Sequence, residues 1–144
     1  MAYLREMLKY WHGAHTKHRI MIHLVFLPKY RKRILRGKVA TRLKDLFFKA
    51  CEVNNWWIEE IKILNDHVHM LIQIQPNLSI SKVVNLMKGG SSRILRKEFP
   101  ELEEFLWGDS FWADGYFAES VGAQSFIQIK KYIKDNQESM PQKG

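Results

Sequence analysis

The 144-residue chain is long enough for one domain with a sizeable core, and we predict a single domain over residues 1–144 with loosely ordered ends, about 1–18 and 138–144. Hydrophobic residues make up 46% of it and aromatic residues 12%, which is typical of a folded protein rather than a disordered one. The formal net charge of +8 indicates a polyanionic partner, because lysine and arginine that neutralise phosphates release condensed counterions.

The same numbers argue against several classes of protein. No apolar run approaches the roughly 20 residues of a spanning helix, and the N-terminal stretch lacks the apolar core of a signal peptide. We therefore expect a cytoplasmic protein without a membrane partner. The single Cys51 excludes an internal disulfide framework, and its place on the apolar side of a predicted helix indicates a small buried hydrophobe.

The first half of the chain predicts three strands and a helix. Residues 20–27 form a short apolar run closed by Pro28, which indicates a buried strand. Apolar residues recur at helical spacing from Val39 to Val53. Residues 57–64 and 67–74 predict two antiparallel strands joined at the turn pair 65–66.

The second half predicts two helices and one short strand. Ser79 is a suitable N-cap for a helix that Gly89-Gly90 interrupts or kinks and that Pro100 stops. A strand is expected near residues 116–121, and Ser125 begins a last helix that reaches about Gln137. The complete order predicts an α+β fold: a ferredoxin-like, RRM-like antiparallel sheet flanked by helices, with an additional C-terminal helix.

Two histidines occupy neighbouring positions of one face of the third strand. His67 and His69 would stand roughly 7 Å apart at their Cα atoms, close enough for both to reach one divalent ion. Such a pair needs a third protein ligand and leaves open positions, which is typical of a catalytic metal site. The alternative is a pair of half-exposed histidines on a solvated face, because this spacing alone is a weak signal.

The motif His67-Val68-His69 is the histidine–hydrophobic–histidine motif of the HUH endonucleases. It stands among the phrases "HLVFLPKYRKRIL", "SISKVVNLMKGGSSRILRKEFPEL", "LWGDSFWADGYFAESVG" and "IKKYIKDNQ". From about Gly13 to Gln137 the chain resembles the single-tyrosine transposases of small bacterial and archaeal insertion sequences, the TnpA family.

The resemblance implies an HUH endonuclease fold and an enzyme that depends on Mg²⁺ or Mn²⁺. Such an enzyme cuts and rejoins single-stranded DNA at hairpin-marked element ends through a 5′-phosphotyrosine intermediate. It acts as a homodimer, in which the tyrosine helix can complete the other subunit's active site in trans. Two alternatives remain open: a non-catalytic single-strand or RNA-binding module, and a domesticated HUH nickase that acts on repeated chromosomal hairpins.

The resemblance assigns the nucleophile to Tyr132 on the last helix. At about 100° per residue, Ile133 lies about 20° from Phe126 and makes the buried stripe with it, whereas Tyr132 lies about 120° away. Its side chain is thus expected off the core, as either a surface residue or one aimed at a partner.

The third metal ligand has two candidates, because the family's glutamine four residues after the tyrosine is replaced by Asn136, with Gln137 one residue further. Asn136 lies about 40° from Tyr132 on the helix and Gln137 about 140°. We therefore predict His67, His69 and Asn136 as ligands, with Gln137 as the alternative; Asn136 could instead merely cap the helix end.

Two basic clusters are candidate DNA-binding surfaces, since cations bind phosphates and aromatic rings stack on unpaired bases. The first cluster contains Lys29, Tyr30, Arg31, Lys32, Arg33 and Arg36. The second contains Lys88, Ser91, Ser92 and Arg93. The alternative is that both are ordinary solvated faces.

Three further assignments concern buried or neighbouring side chains. His23, within an apolar strand, is expected to be a hydrogen-bonded core histidine. Asp66 either orients an imidazole as an acceptor or starts the turn. The tryptophans at positions 56, 57, 107 and 112 are expected in the core or in a dimer contact, although one of them could be a stacking platform.

Overall fold

The computed structural model describes the backbone of residues 11–12, 17–18, 20–122 and 125–135, and the side chains of residues 20–122 and 125–135. The strands are β1 (Trp11–His12), β2 (Lys17–His18), β3 (Ile20–Phe26), β4 (Trp57–Leu64), β5 (His67–Ile74) and β6 (Phe117–Ser120). The helices are α1 (Gly37–Asn54), α2 (Ile80–Glu98), α3 (Glu103–Leu106) and α4 (Phe126–Asp135). Short 3₁₀ turns cover Lys29–Arg31 and Pro100–Leu102.

Four strands form one antiparallel sheet in the order β4-β5-β3-β6. Strand β5 is central, and it pairs with β4 through a two-residue connection that sets Leu64 opposite His67. Strands β1 and β2 form a separate antiparallel pair. The predicted order of strands and helices, and with it the α+β ferredoxin-like class, is confirmed.

One face of the sheet packs against α1 and α2 to form the main core. Strand β5 contributes four apolar side chains to this face: Val68, Met70, Ile72 and Ile74. Helix α1 contributes Val39, Leu43, Phe47 and Cys51. Burial raises the pKa of the Cys51 thiol to about 12, so this residue is the un-ionised buried hydrophobe that the sequence predicts.

The opposite face of the sheet is covered by α4. A second apolar cluster contains Met21, Leu71, Val121, Phe126 and Ile133. As a result every residue of β5 is buried, including the polar side chains of the histidine-bearing face. The alternative of half-exposed histidines on a solvated face is therefore wrong, because the last helix crosses that face.

Helix α2 is continuous from Ile80 to Glu98, so of the two effects predicted for Gly89-Gly90, interruption or a kink, the interruption is wrong. The helix buries apolar side chains on both sides of the glycines: Val83, Val84, Met87 and Leu95. This packing outweighs the roughly 1 kcal/mol that each helix-interior glycine costs. The predicted N-cap is confirmed, because Ser79 Oγ accepts a hydrogen bond of 3.1 Å from the backbone N–H of Lys82.

The described helices are all too short or too polar to cross a membrane. Residues 138–144 and most of residues 1–18, which were predicted to be loosely ordered, lie outside the described residues.

Candidate active site

His67 and His69 lie together on the α4 side of β5. Their ring centroids are 4.9 Å apart, and both side chains are fully buried. This placement follows from the strand period of two, which directs alternate side chains to the same face. The two imidazoles are thus close enough to share one ligand.

Each of these imidazoles has one nitrogen engaged and one without a partner. His67 Nδ1 lies 2.7 Å from Asp66 Oδ1, and His69 Nδ1 lies 3.2 Å from His23 Nε2. Neither Nε2 atom has a hydrogen-bond partner within the described part of the chain. A buried polar atom without a partner costs free energy, and a bound metal ion would remove that cost.

Asp66 fixes the tautomer of His67. A carboxylate only accepts, so His67 Nδ1 carries a proton and donates it to Asp66, and a metal ion would bind this ring through Nε2. Burial opposes ionisation of Asp66, but the hydrogen bonds and charges of His67 and Arg31 outweigh it and lower the pKa of the carboxyl. Arg31 Nε donates to Asp66 Oδ2 at 2.9 Å. Of the two roles predicted for Asp66, the structure shows contact with the imidazole.

His23 contacts Nδ1 of His69, just as Asp66 contacts Nδ1 of His67. Its ring is buried and stacks on His69, with centroids 5.4 Å apart and planes 19° apart. Burial lowers the pKa of His23, although Glu119 opposes this, and burial together with repulsion from His67 and His23 lowers the pKa of His69 to about 3. Both rings are therefore neutral at pH 7, and one of them donates to the other between His69 Nδ1 and His23 Nε2. When His69 Nδ1 is the donor, His69 Nε2 is available to a metal ion.

The buried, hydrogen-bonded state predicted for His23 is confirmed. Its contact with His69 was not predicted, because it depends on the register of β3 against β5. In that register Val25 is opposite His69, and His23 is opposite Leu71. A search for polar residues in the strand next to the histidine pair could have suggested the contact, but only once the strand order was known.

Tyr132 faces the histidines from α4. Phe126 and Ile133 bury the helix against the sheet, whereas the Tyr132 side chain stays 39% exposed. Its ring centroid is 5.7 Å from that of His69 and 6.4 Å from that of His23. Burial raises the pKa of the Tyr132 phenol above its ordinary value, so the phenol is protonated at neutral pH.

The predicted third ligand, Asn136 or its alternative Gln137, lies outside the described residues. Over the described ranges, no group of three or more His, Cys, Asp and Glu residues could hold a metal ion. The chemistry of the site nevertheless fits a divalent metal ion, since two unpartnered imidazole nitrogens are an incomplete donor set of the kind that one more ligand would complete.

Comparison with known proteins identifies the family. Residues 16–136 match the family model described as "Transposase IS200 like". The chain belongs to the IS200-like transposase family. Members of this family cleave DNA and transfer strands, so the chain is a DNA-processing enzyme of that class.

Two curated relatives show the extent of the similarity. The transposase of insertion sequence element IS200 from Salmonella typhimurium is 36% identical over 121 residues, which are 84% of this chain and 79% of the relative. The ISDra2 transposase TnpA from Deinococcus radiodurans is 32% identical over 134 residues, covering 93% and 96%.

Two solved structures agree on the fold. A putative transposase from Deinococcus radiodurans superposes with a TM-score of 0.72 at 29% identity, covering 87% of this chain and 96% of that one. A REP-associated tyrosine transposase bound to a REP hairpin gives a TM-score of 0.54 at 14% identity, covering 85% and 68%.

In this IS200-like transposase the first basic cluster lies at the surface. The side chains of Tyr30, Arg31, Arg33 and Arg36 are exposed, and those of Lys29 and Lys32 are half-buried. Lys29 lies 3.8 Å from Asp109, and Arg31 is engaged with Asp66. Arg31 therefore connects this cluster to the histidine site.

The second basic cluster needs one correction. Ser91 is buried, donates to the backbone oxygen of Met87 at 2.7 Å and accepts from Trp112 Nε1 at 3.0 Å. The prediction that it contacts DNA is wrong, because its hydroxyl holds α2 to the core tryptophan. Lys88 Nζ donates to the backbone oxygens of Ala113 and Gly115, whereas Ser92 is half-buried and Arg93 exposed.

Proposed function

We propose that this transposase cleaves and rejoins single-stranded DNA by metal-assisted transesterification, with Tyr132 as the nucleophile and a 5′-phosphotyrosine intermediate. One observation carries the proposal: a partly exposed phenol lies 5.7 Å, ring to ring, from a histidine that, like its neighbour His67, has a buried nitrogen with no partner among the described residues. The proposed nucleophile thus lies next to the candidate metal ligands.

In the proposed cleavage, Tyr132 Oη attacks the scissile phosphorus. The Tyr–O–P bond forms, the bond from phosphorus to the 3′-oxygen breaks, and the phenolic proton passes to water or a base while the leaving oxygen gains one and becomes a free 3′-OH. A 3′-OH from another strand end reverses the step and releases the tyrosine. An aryl oxygen leaves more readily than an alkoxide, so resealing needs no external energy source.

His67 and His69, with Asn136 or Gln137, would hold Mg²⁺ or Mn²⁺. When bound there, the ion supplies Lewis-acid polarisation of the phosphate and favours ionisation of a nearby phenol. In the proposed site, Asp66 accepts from His67 Nδ1 and His23 would accept from His69 Nδ1, so that both imidazoles present Nε2. This role matters because a ligand must offer a lone pair to the metal.

The proposed substrate is a single strand with hairpin ends, bound by exposed cations from both basic clusters, among them Arg33, Arg36 and Arg93. We also propose the homodimer that the family resemblance implies. Within one chain, α4 already brings Tyr132 to the histidines, which favours attack in cis.

The decisive experiment is an adduct assay. Incubation with a hairpin-flanked single strand and Mg²⁺ or Mn²⁺ should give a protein–DNA species that survives denaturant, and Tyr132→Phe should abolish it. Tyr116→Phe is the matched control, because Tyr116 is similarly exposed, at 41% against 39%, and lies outside the histidine site.

Adduct formation by Tyr132→Phe would contradict the nucleophile assignment. Binding without any adduct in the wild type, across both metals, would instead favour a non-catalytic single-strand binder. Separate Asn136→Ala and Gln137→Ala variants decide the third ligand, since only the true ligand should be required.

A further inference from the structure

The two most exposed aromatic side chains in the described part of the chain lie on neighbouring turns far from Tyr132 in sequence. Trp107, after α3, is 76% exposed, and Tyr30, in the 3₁₀ turn after β3, is 60% exposed. Large aromatic rings that stay in water forgo the burial free energy that other tryptophans of this chain, such as Trp112, obtain. Their exposure therefore calls for a physical explanation.

The backbone at both positions adopts a conformation that disfavours large side chains. Four non-glycine residues in the described part of the chain have positive φ. Asn55 ends α1, where asparagine is well tolerated. The other three are Tyr30 at 59°, Arg31 at 51° and Trp107 at 49°. Strain of this kind is concentrated at functional sites, where it aims a side chain.

The two turns are fastened to each other through Asp109. Tyr30 Oη donates to Asp109 Oδ2 at 2.6 Å, and Lys29 Nζ lies 3.8 Å from Asp109 Oδ1. The backbone N–H of Lys29 donates to the backbone oxygen of Phe111 at 2.8 Å. Both rings are thus presented on a fixed support, which lowers the entropy lost on binding.

A lysine accompanies each ring. Lys32 Nζ lies 5.4 Å from the centroid of Trp107, and Lys29 Nζ lies 5.8 Å from that of Tyr30. Exposed rings with adjacent cations match a single strand, because phosphates bind the cations while unpaired bases stack on the rings. In a blunt duplex the bases are stacked on one another, so this surface could bind only its phosphates.

We infer that Trp107 and Tyr30 are stacking sites for unpaired bases of single-stranded DNA, and that Lys29 and Lys32 contact the adjoining phosphates. This inference rests on the proposed function, since it takes the single-stranded substrate from it. It adds a surface that recognises unpaired bases, next to the basic cluster that Arg31 connects to the histidine site.

The test is equilibrium binding of the full chain to a short dye-labelled single strand and to a blunt duplex, measured by anisotropy in EDTA so that no cleavage occurs. Trp107→Ala should weaken single-strand binding about 5- to 150-fold, the range for one base stack, and leave duplex binding unchanged. Lys32→Ala should weaken binding to the single strand and to the duplex. It should also reduce the slope of log K against log [salt] by the amount that corresponds to about one phosphate contact.

Two further variants separate binding from folding. Trp107→Gly removes the ring, and glycine is the residue that adopts a positive φ most easily. The thermal midpoint of this variant should therefore not fall, whereas its affinity for the single strand should. Val53→Ala, at a 68% exposed position on α1, is the control for loss of exposed apolar surface, and it should bind as the wild type does.

The inference is overturned if Trp107→Ala binds the single strand as tightly as the wild type does, or loses affinity equally for strand and duplex. Its failure is distinct from failure of the proposed function. A wild type that forms the covalent adduct while Trp107→Ala binds normally refutes only the stacking site. A protein that forms no adduct but loses affinity on Trp107→Ala keeps the stacking site and refutes the chemistry.

Discussion

The two faces of strand β5 are built for different purposes. The side that meets α1 and α2 carries only aliphatic or thioether side chains, from Val68 to Ile74. The side that meets α4 is as deeply buried but carries His67, His69 and Gln73. Burial is equal on the two faces, so the contrast lies in chemistry alone.

Under the proposed function, this contrast would separate stability from activity within one strand. Apolar burial contributes stability on the first face, whereas the second face contains imidazole nitrogens without partners among the described residues, which cost stability. A fold optimised only for stability would place aliphatic residues there. We therefore expect substitutions on the α4 face to reduce adduct formation more than stability, and substitutions on the opposite face to reduce stability more than adduct formation.

The largest expected effect is loss of chemistry from the polar face. His67→Leu with His69→Leu keeps approximate volume but removes both proposed metal ligands, so adduct formation should slow by at least about 10³-fold, equivalent to several kcal/mol of metal assistance. Initial rates of adduct formation check this prediction. A double variant that retains the wild-type rate would refute the metal site.

The apolar face should show the reverse. Ile72→Ala removes buried methyl groups at a fully buried position and should lower the free energy of unfolding by about 2–5 kcal/mol. Urea unfolding measures this loss, and Ile72→Val should cost about 0.5–1.5 kcal/mol. Adduct formation per folded molecule should persist; its disappearance in a folded Ile72→Val variant would show that the faces are not separable.

Substitution of His23 or Asp66, which contact the two histidines, should have an intermediate effect on metal binding. His23→Leu removes the hydrogen-bond partner of His69, and Asp66→Ala removes the acceptor of His67, so each should weaken Mn²⁺ binding by about 10- to 100-fold. Titration calorimetry with Mn²⁺ alone checks this. His23→Gln, which keeps an acceptor oxygen, should retain more affinity than His23→Leu. Equal affinities of these two variants would argue against the tautomer role.

The smallest expected effect concerns the core side of α2. Ser91→Ala leaves the buried Trp112 Nε1 without its acceptor and should lower the free energy of unfolding by about 1–3 kcal/mol without changing DNA affinity. Ser92→Ala is the neighbouring control, and it should be nearly neutral for stability. If Ser91→Ala lost DNA affinity at unchanged stability, the original prediction that Ser91 contacts DNA would be supported after all.

Much of the fold could be predicted because its signals are local. The alternation in β5, the turn pair 65–66 and the Ser79 cap each identify an element from a few neighbouring residues. The error at Gly89-Gly90 came from weighing helix propensity without the packing that outweighs it. Ser91 could have been placed correctly, since it follows Met87 by four residues and so continues the buried stripe of α2.

The site was predictable only in part, because its components come from distant elements. Family resemblance supplies His67, His69 and Tyr132, and helix geometry places Tyr132 off the buried stripe. Burial of the histidines depends on where α4 packs, and the His23 contact depends on strand register. The link from Arg31 through Asp66 to His67 depends on a loop conformation with positive φ, which nothing in the local sequence specifies.

Length changes in the hairpin between β4 and β5 should be far more damaging than substitutions. Side chains of a strand point alternately to the two faces of the sheet, so a register shift of one residue moves every side chain to the opposite face. An insertion between Leu64 and His67 that shifts β5 by one residue would turn both imidazoles into the aliphatic interior and direct Val68 and Met70 toward the tyrosine helix. A change in turn length that shifts β5 by one residue would therefore impair chemistry and folding together.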